Sequence, residues 1–392
     1  MQRKNLLVMR KRPAGPRTGI SSKPKRKRFV RLKAAGARGR GKATGFRKRR
    51  VRGLTRRPLA AGSVRISSAA FQAGFRAGLA DAAHLSIEHE GYQKKALNRH
   101  WVQRARSMRW IGPPWRRYMD ASKGYVRGFF RGKKQHAHDW LMLPTTQSVA
   151  AIVTVMNEER TIGSIMDQLN RLPFDEVFVI VNGSVDQSFH RARGRSHAVI
   201  LSYPEPLGHD VGRALGAKLA QSDILLFLDG DILLSAEAMI PFIGGIECGL
   251  DVALNNITPY MRVFANRDSV TYIKQFLNAS LGRPDLEANS MTAVPHALSR
   301  KAVTALGVSS LMVPPKAQAL AVHHGLRIGI SGSVDVISSN KRRTNNTGKG
   351  NRVADLIIGD HLEALKLAGE LAGNRLAFVD SLRNRAKAGG EA

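Results

Sequence analysis

From residue 149 onward, continuous apolar runs alternate with segments in which apolar residues recur at helical spacing. Apolar runs that carry no alternation are typical of strands buried on both faces. Such strands, when they alternate with helices, predict a parallel sheet with helices on both faces. We therefore predict an α/β fold with a Rossmann-like, mostly parallel sheet. The predicted strands are 149–156, 176–182, 197–203 and 223–229, and the predicted helices are 157–172 and 210–222.

The preceding segment, residues 61–145, has a helical pattern without strands. Phe71, Phe75 and Leu79 recur at helical spacing. Two stretches, 70–78 and 124–132, share the order small, aromatic, x, x, Gly, Phe, x, x, Gly. This likeness predicts a degenerate repeat of a helix that packs by close approach, in a small helical region with a basic exposed face.

The first 60 residues contain 23 lysines and arginines and no acid. A segment with this composition buries too little apolar area to offset its ordering entropy, so we expect a disordered basic tail. Its charge suits an anionic polymer, an anionic membrane surface or nucleic acid. A solvated tail without a fixed partner is the alternative, and the near absence of aromatic residues gives no indication of base stacking.

The charge of the whole chain is concentrated in its first third. The net charge is +34, and residues 1–140 hold 38 basic residues against 5 acidic ones, so the remainder is close to neutral. The single cysteine, Cys248, excludes an intrachain disulfide and a cysteine-based zinc cluster, and we expect it in or near the core. We also expect no transmembrane segment and a cytoplasmic location, possibly peripheral to the membrane.

Polar groups follow each of the predicted strands, where ligands of parallel sheets bind. Each group has an ordinary structural explanation, as a helix cap, a turn or a surface loop. Their coincidence at successive strand ends favours one binding site. The groups are Asn157 and Glu158 after the first strand, Asn182, Gly183 and Ser184 after the second, Asp210 and Arg213 at the second helix, and Asp229 and Asp231 at the end of the fourth strand.

These residues resemble the family 2-like glycosyltransferases of the GT-A fold. The resemblance rests on three segments, 153–163, 177–188 and 208–231, and more weakly on 290–307. It covers roughly residues 148–330 and leaves out the N-terminal 145 residues. The resemblance implies a transferase (EC 2.4) that moves a sugar from a nucleoside-diphosphate sugar, UDP-linked by default, to an acceptor.

The resemblance also implies roles for individual residues. The Val155 backbone and Glu158 would contact the base and ribose, and Arg213 would lie near the nucleotide or diphosphate. Asp229 and Asp231 match the family's Asp-x-Asp motif, which binds Mn²⁺ or Mg²⁺ with the diphosphate. Asp231 is the more direct ligand, and we expect Gly230 to leave room for the sugar donor.

Two positions depart from the family pattern. Asn182 stands where the family usually has an aspartate, so an amide replaces a carboxylate in the expected base contact. Pro314 and Pro315 stand where inverting members carry a catalytic acid pair. Displaced candidates for the base are Asp285, Glu287 and His296, and a retaining enzyme without this base is the alternative.

The C-terminal part adds one further candidate. His361 is a possible third metal ligand, as a late histidine is in some GT-A enzymes. Asp360 with Glu363 has the spacing of a helix capping box, and the basic loop 338–352 would either close over the diphosphate or form an ordinary surface loop.

The expected organisation is a tail (1–60), a helical region (61–145), a GT-A domain (146–368) and a C-terminal helix and tail (369–392). The donor half of the domain would end at residue 235. The predicted function is a metal-dependent glycosyltransferase, with a cell-surface glycan or glycolipid precursor among the possible acceptors. The alternative is a nucleic-acid- or polyanion-binding protein with a degenerate, non-catalytic GT-A domain.

Overall fold

The computed structural model of the chain describes residues 68–85, 90–338, 351–383 and 387. The expected tail and residues 339–350 of the basic loop lie outside the described residues. The residues from Val64 onward group as one compact unit. The finer division into helical region, donor half and acceptor half stays a prediction.

The predicted α/β fold is confirmed by a seven-stranded, mostly parallel sheet with helices on both faces. The four strands predicted from the apolar runs are all present, within two residues of their predicted starts. The strands are β1 Val149–Val155, β2 Glu176–Asn182, β3 Val199–Tyr203, β4 Ile224–Asp229, β5 Val252–Asn255, β6 His296–Ser299 and β7 Ile328–Gly332.

The strand order is β3-β2-β1-β4-β6-β5-β7. The pairs β3-β2, β2-β1, β1-β4 and β5-β7 are parallel, whereas β6 runs antiparallel to both of its neighbours. The chain moves outward from β1 to β3 and then returns to place β4 on the other side of β1. A crevice forms at such a switch point, at the carboxyl ends of β1 and β4, because the connections leave in opposite directions.

Two apolar layers cover the sheet. One contains α3, α4 and α7, and the other contains α6, α9 and α10. Among the described residues, no helix is both long enough and apolar enough to cross a membrane. The helices are α1 Ala69–His84, α2 Glu90–Ser107, α3 Trp115–Gly132, α4 Ile162–Leu169, α5 Ser188–Arg193, α6 Val211–Leu219, α7 Ala236–Glu247, α8 Ser269–Ser280, α9 Arg300–Leu306, α10 Pro314–His323 and α11 Arg352–Ala372.

The two repeat-like segments form α1 and α3, which pack against each other through their glycines. A Cβ atom on Gly74 would lie 2.0 Å from the Ala121 carbonyl oxygen, and one on Gly128 would lie 2.0 Å from the Phe75 carbonyl oxygen. Gly78 and Gly124 make equally close approaches, so the two helices run parallel with their backbones in contact. The predicted close approach is therefore confirmed.

Three local expectations were wrong. Cys248 is exposed at the C-terminal end of α7 rather than buried, because the helix ends there. Asp360 and Glu363 do not cap a helix, because α11 begins at Arg352 and Asn351 caps it by accepting from the Ala354 amide. A C-terminal helix and tail were expected in 369–392, but α11 ends at Ala372 and the described residues after it form mostly turns and extended chain.

The glycine contact of α1 and α3 predicts a large loss of stability for Gly128→Ala. The new methyl group would overlap the Phe75 carbonyl, and relieving such overpacking costs about 1–3 kcal/mol. Gly359→Ala in α11 is the matched control, since a Cβ there meets nothing within 4 Å. The control should gain up to about 1 kcal/mol from helix propensity. Urea unfolding measures both, and equal effects would contradict the packing argument.

Candidate functional site

Asp229 and Asp231 lie at the carboxyl end of β4, beside the end of β1. The Oδ1 atom of Asp229 accepts a hydrogen bond from Thr154 Oγ1 at 3.0 Å. Gly230 donates its amide to the Thr154 carbonyl at 2.7 Å, and a Cβ there would lie 2.9 Å from Val155 Cγ2. Glycine is therefore required at position 230 by the close approach of β1, in addition to any room that it leaves for a ligand.

Arg213 places a buried positive charge behind this pair of acids. Arg213 is 6% exposed, and its guanidinium lies 3.1 Å from Asp210 Oδ1 and 3.4 Å from Asp229 Oδ1. It also donates to the Met291 carbonyl at 3.2 Å. Burial opposes the charge, but Asp210 and Asp229 outweigh burial, so the pKa of Arg213 lies above its ordinary value. Asp229 is held in one orientation by this cation.

The polar residues after β1 and β2 clamp those two strand ends together. The backbone amide of Asn157 donates to Ser184 Oγ at 3.0 Å, and the side-chain Oδ1 of Asn157 accepts from the backbone amide of Val185 at 2.9 Å. Asn157 and Gly183 both have positive φ, 58° and 64°, as the tight turns require. Asn157, Gly183 and Ser184 thus hold the ends of β1 and β2 together and do not line the crevice.

Asn182 fixes the loop that precedes α6. Its side-chain oxygen accepts from the Leu207 amide at 2.6 Å, and its Nδ2 donates to the Gly208 carbonyl at 3.0 Å. An aspartate could accept the first bond but could not donate the second. The two hydrogen bonds to the loop therefore explain why this chain has an asparagine at position 182, where the family usually has an aspartate.

These elements enclose a cavity of about 300 Å³ at the switch point. Glu158, 2% exposed, forms part of its wall, with its amide donating to Ser188 Oγ at 2.8 Å. Of the donor-site candidates, Val155, Glu158, Asn182, Asp210, Arg213 and Asp229 line this cavity, together with Asp231. The wall is completed by Thr154, Met156, Pro206, Gly208, His209, Gly212 and Gly230.

A second cavity, of about 470 Å³, opens on the other side of Asp229 and Asp231. Its wall contains three cations, Arg262, Arg267 and Lys274, and one acid besides Asp229 and Asp231, namely Asp268. Burial lowers the pKa of Lys274 to about 8, and no carboxylate among the described residues pairs directly with its ammonium group. The first turn of α11 also lines this cavity, through Val353 and Ala354.

The three candidates for a displaced base lie outside both cavities. Asp285 is exposed and ion-paired with Arg283 at 2.7 Å, which holds the pKa of its carboxyl below the usual range. Glu287 accepts from Thr258 Oγ1 at 3.1 Å. His296 is 2% exposed and stacks on Phe227, and burial lowers its pKa to about 3. Pro314 and Pro315 are buried and begin α10.

His361 is not gathered with the two acids. It is fully buried, its Nδ1 lies 2.6 Å from the Ile357 carbonyl in the preceding helical turn, and burial lowers its pKa to about 4. Within the described ranges, no group of three histidine, cysteine or acidic side chains is arranged to hold a metal ion. Asp229 and Asp231 therefore remain the candidate ligands on this edge of the sheet.

Several residues of these cavities were not found from the sequence. Thr154 could have been noticed as a hydroxyl in an otherwise apolar strand. Lys274 lies in the partly apolar sequence of α8, where a lysine is usually solvated, and Arg262 and Arg267 flank a short loop. No local motif distinguishes these three cations from surface charges.

The buried Arg213 predicts that Arg213→Gln destabilises the protein by about 3 kcal/mol or more. The variant leaves Asp210 and Asp229 without their shared cation, and breaking a buried ion pair costs about 3–5 kcal/mol. Arg193→Gln, an exposed residue of α5, is the control and should change little. Denaturant unfolding of both variants measures the difference, and similar values would contradict a structural role for Arg213.

Part of the chain is similar to proteins of known activity. Glucosyl-3-phosphoglycerate synthases from Mycolicibacterium paratuberculosis and Mycobacterium tuberculosis are 31% and 30% identical over 108 residues, which is 25% of this chain and 33% of each relative. The chain thus matches about a third of the length of these relatives. Crystal structures of the Mycobacterium tuberculosis synthase with UDP, and with Mn²⁺, UDP and glucosyl-3-phosphoglycerate, superpose with TM-scores of 0.44 and 0.43. In each case the identity is 19%, over 60% of this chain and 82% of the other.

The family model for glycosyl transferase family 2 matches residues 150–298. This range contains β1, β2 and β4 with the polar groups that follow them, and it includes both Asp229 and Asp231. The resemblance expected from the motifs is confirmed, because residues 150–298 match the model for glycosyl transferase family 2.

Proposed function

We propose that the protein transfers a sugar from a nucleoside-diphosphate sugar to an acceptor in the presence of Mn²⁺ or Mg²⁺. The observation that carries this proposal is the position of Asp229 and Asp231, which form a wall shared by two cavities at the switch point of the sheet. A transferase needs its donor and acceptor on opposite sides of one reacting centre. The nucleotide occupies the cavity of about 300 Å³, and the acceptor occupies the larger one.

The donor is a UDP-sugar. Glu158, Asn182 and the loop that Asn182 holds form the inner wall, where a base and ribose fit. Crystal structures of the Mycobacterium tuberculosis synthase contain UDP with Mn²⁺ or Mg²⁺, and two contain UDP-glucose. UDP-glucose is therefore the first donor to test.

The two carboxylates fit a hard divalent cation. Mg²⁺ and related ions are commonly held by one or two carboxylates, with substrate phosphates and water completing the shell. Asp231 lines both cavities, and Asp229 is already oriented by Thr154 and Arg213. When bound, the ion supplies positive charge where the diphosphate leaves.

The residues of the chain then have separate tasks in the transfer. The bond between the sugar and the diphosphate breaks and its electron pair stays with the diphosphate. The acceptor hydroxyl oxygen forms the new bond to the sugar, and the hydroxyl proton passes to the departing diphosphate. Arg213 holds Asp229 in one position, so the carboxylate does not reorganise as charge develops on the leaving group. Asn182 and Gly183 keep the loop before α6 in place, which positions Asp210 and Arg213.

We propose that the acceptor carries a phosphate or carboxylate group. Arg262, Arg267 and Lys274 line the second cavity together with the acids Asp229, Asp231 and Asp268, and these three cations would bind the anionic group of the acceptor. Four of the Mycobacterium tuberculosis structures contain phosphoglyceric acid. This compound is the probe that we choose for an acceptor of that chemistry.

Asp231→Ala should abolish metal-dependent nucleotide binding. Changes in the residues that merely support metal ligands lower affinity about 10–100-fold, so loss of a ligand should exceed this range. Isothermal titration calorimetry with UDP and Mn²⁺ measures the binding, and turnover of UDP-glucose should be lost in parallel. Asp285→Ala, an exposed acid outside both cavities, is the control.

Unchanged UDP affinity in Asp231→Ala would contradict the metal role. Absence of UDP binding by the wild-type chain, together with tight and salt-dependent DNA binding, would instead favour the alternative of a non-catalytic polyanion-binding protein.

Lys274→Met should raise the KM for phosphoglycerate about tenfold or more and leave the UDP-glucose KM near its wild-type value. A hydrogen bond to a charged group contributes about 1.5–3 kcal/mol. Since Lys274 has a pKa of about 8, the wild-type acceptor KM should rise as the pH increases above 8, and the variant should lose this dependence. Lys218→Met, an exposed lysine of α6, is the matched control.

A further inference from the structure

The parallel pair α1 and α3 carries two adjacent rows of side chains that the transferase site does not use. The first row is cationic. Positions 116, 117, 127 and 131 share the outward face of α3, and Lys134 follows just beyond its end. All five residues of this row, Arg116, Arg117, Arg127, Arg131 and Lys134, are exposed.

These cations differ from two other cations of the helical region that form ion pairs. Lys123, also on α3, pairs with Glu237 at 2.8 Å, and Arg106 of α2 pairs with Glu247 at 2.7 Å. Among the described residues, no carboxylate forms an ion pair with any member of the cationic row, although Asp120 lies on the same helix. The row extends about 22 Å from Arg116 to Arg131, at 1.5 Å per residue.

The second row is apolar and lies alongside the first. Phe71, Phe75 and Leu79 of α1 are spaced four residues apart; the two phenylalanines are half-buried and Leu79 is 44% exposed. The Arg127 guanidinium lies 5.7 Å from the centre of the Phe71 ring. Leu79 lies over Gly132, next to Arg131. The glycine contact between the helices brings the two rows onto one surface.

We propose that this surface of α1 and α3 binds an anionic lipid bilayer. Exposed cations beside apolar side chains are typical of helices that lie in the membrane interface. Each cation near an anionic surface contributes about 1 kcal/mol. Nucleic acid would use the cationic row but would leave the apolar row without a partner, so the observations favour the bilayer. The expected attachment is peripheral and weakens as salt increases.

The single cysteine of the chain permits a direct test on the full-length protein. In a Cys248→Ser background, Leu79→Cys carries an environment-sensitive fluorophore, and Val185→Cys, at a 91% exposed position after β2, carries it as the control. With vesicles of phosphatidylcholine and phosphatidylglycerol, the label at 79 should shift to shorter wavelength and be quenched by spin-labelled lipid. The label at 185 should do neither.

A charge variant tests the cationic row separately. Arg127→Gln/Arg131→Gln should lower the vesicle partition coefficient roughly 30-fold at low salt, as expected for the loss of two interfacial cations. Arg191→Gln/Arg193→Gln, which removes two exposed arginines of α5, should lower it much less. Circular dichroism of both variants checks that the fold is retained.

Two outcomes would overturn the proposal. If the protein binds vesicles while the label at 79 neither shifts nor is quenched, another part of the chain carries the attachment. If the label at 79 responds to duplex DNA and not to vesicles, the surface is a nucleic-acid site. Both outcomes are independent of sugar transfer, so they leave the proposed function untouched.

Discussion

The arrangement of the site depends on one buried cation, Arg213. It joins Asp210 at the start of α6 to Asp229 at the end of β4, and its contact with the Met291 carbonyl reaches into the acceptor half. The Met291 amide in turn donates to Gln318, which is fully buried and bonds to Asn278. A continuous polar network therefore runs from the metal-site acid into α8 and α10. Such a network fixes relative positions because each unmade bond in a dry interior is costly.

The three predicted candidates for the base all have structural contacts, and the polar network accounts for those of Glu287. Asn278 donates to the carbonyls of Glu287 and Asn289, and Asn289 accepts from the Ile257 amide at 2.7 Å. Glu287 belongs to the loop that these bonds hold, so its conformation with φ of 47° follows from that loop. Asp285 is directed at Arg283, and His296 faces Phe227. Their polarity is used by the scaffold of the acceptor half.

The parts of the fold that depend on local pattern could be predicted from the sequence. The strands β1, β2 and β4 are continuous apolar runs, and the polar residues after them must meet at one edge when the strands are parallel. The acceptor half could not be predicted in this way. β6 is antiparallel and short, the lining residues come from α8 and α11, which are about 80 residues apart, and the capping residue of α11 is an asparagine that follows a basic loop. Residues so far apart in the sequence form no local pattern from which their contact could be predicted.

The difference between the halves follows from their chemistry. Every nucleotide donor presents the same base, ribose and diphosphate, so the donor cavity is built from recurrent groups at fixed strand ends. The acceptor cavity must match one particular molecule. In this chain Pro314 and Pro315 are buried at the start of α10, and the charge facing Asp229 and Asp231 comes from Arg262, Arg267 and Lys274. Under the proposed function, this cavity recognises its acceptor by negative charge, because Lys274, half-buried and without a direct ion pair among the described residues, gains a counter-charge when the acceptor binds.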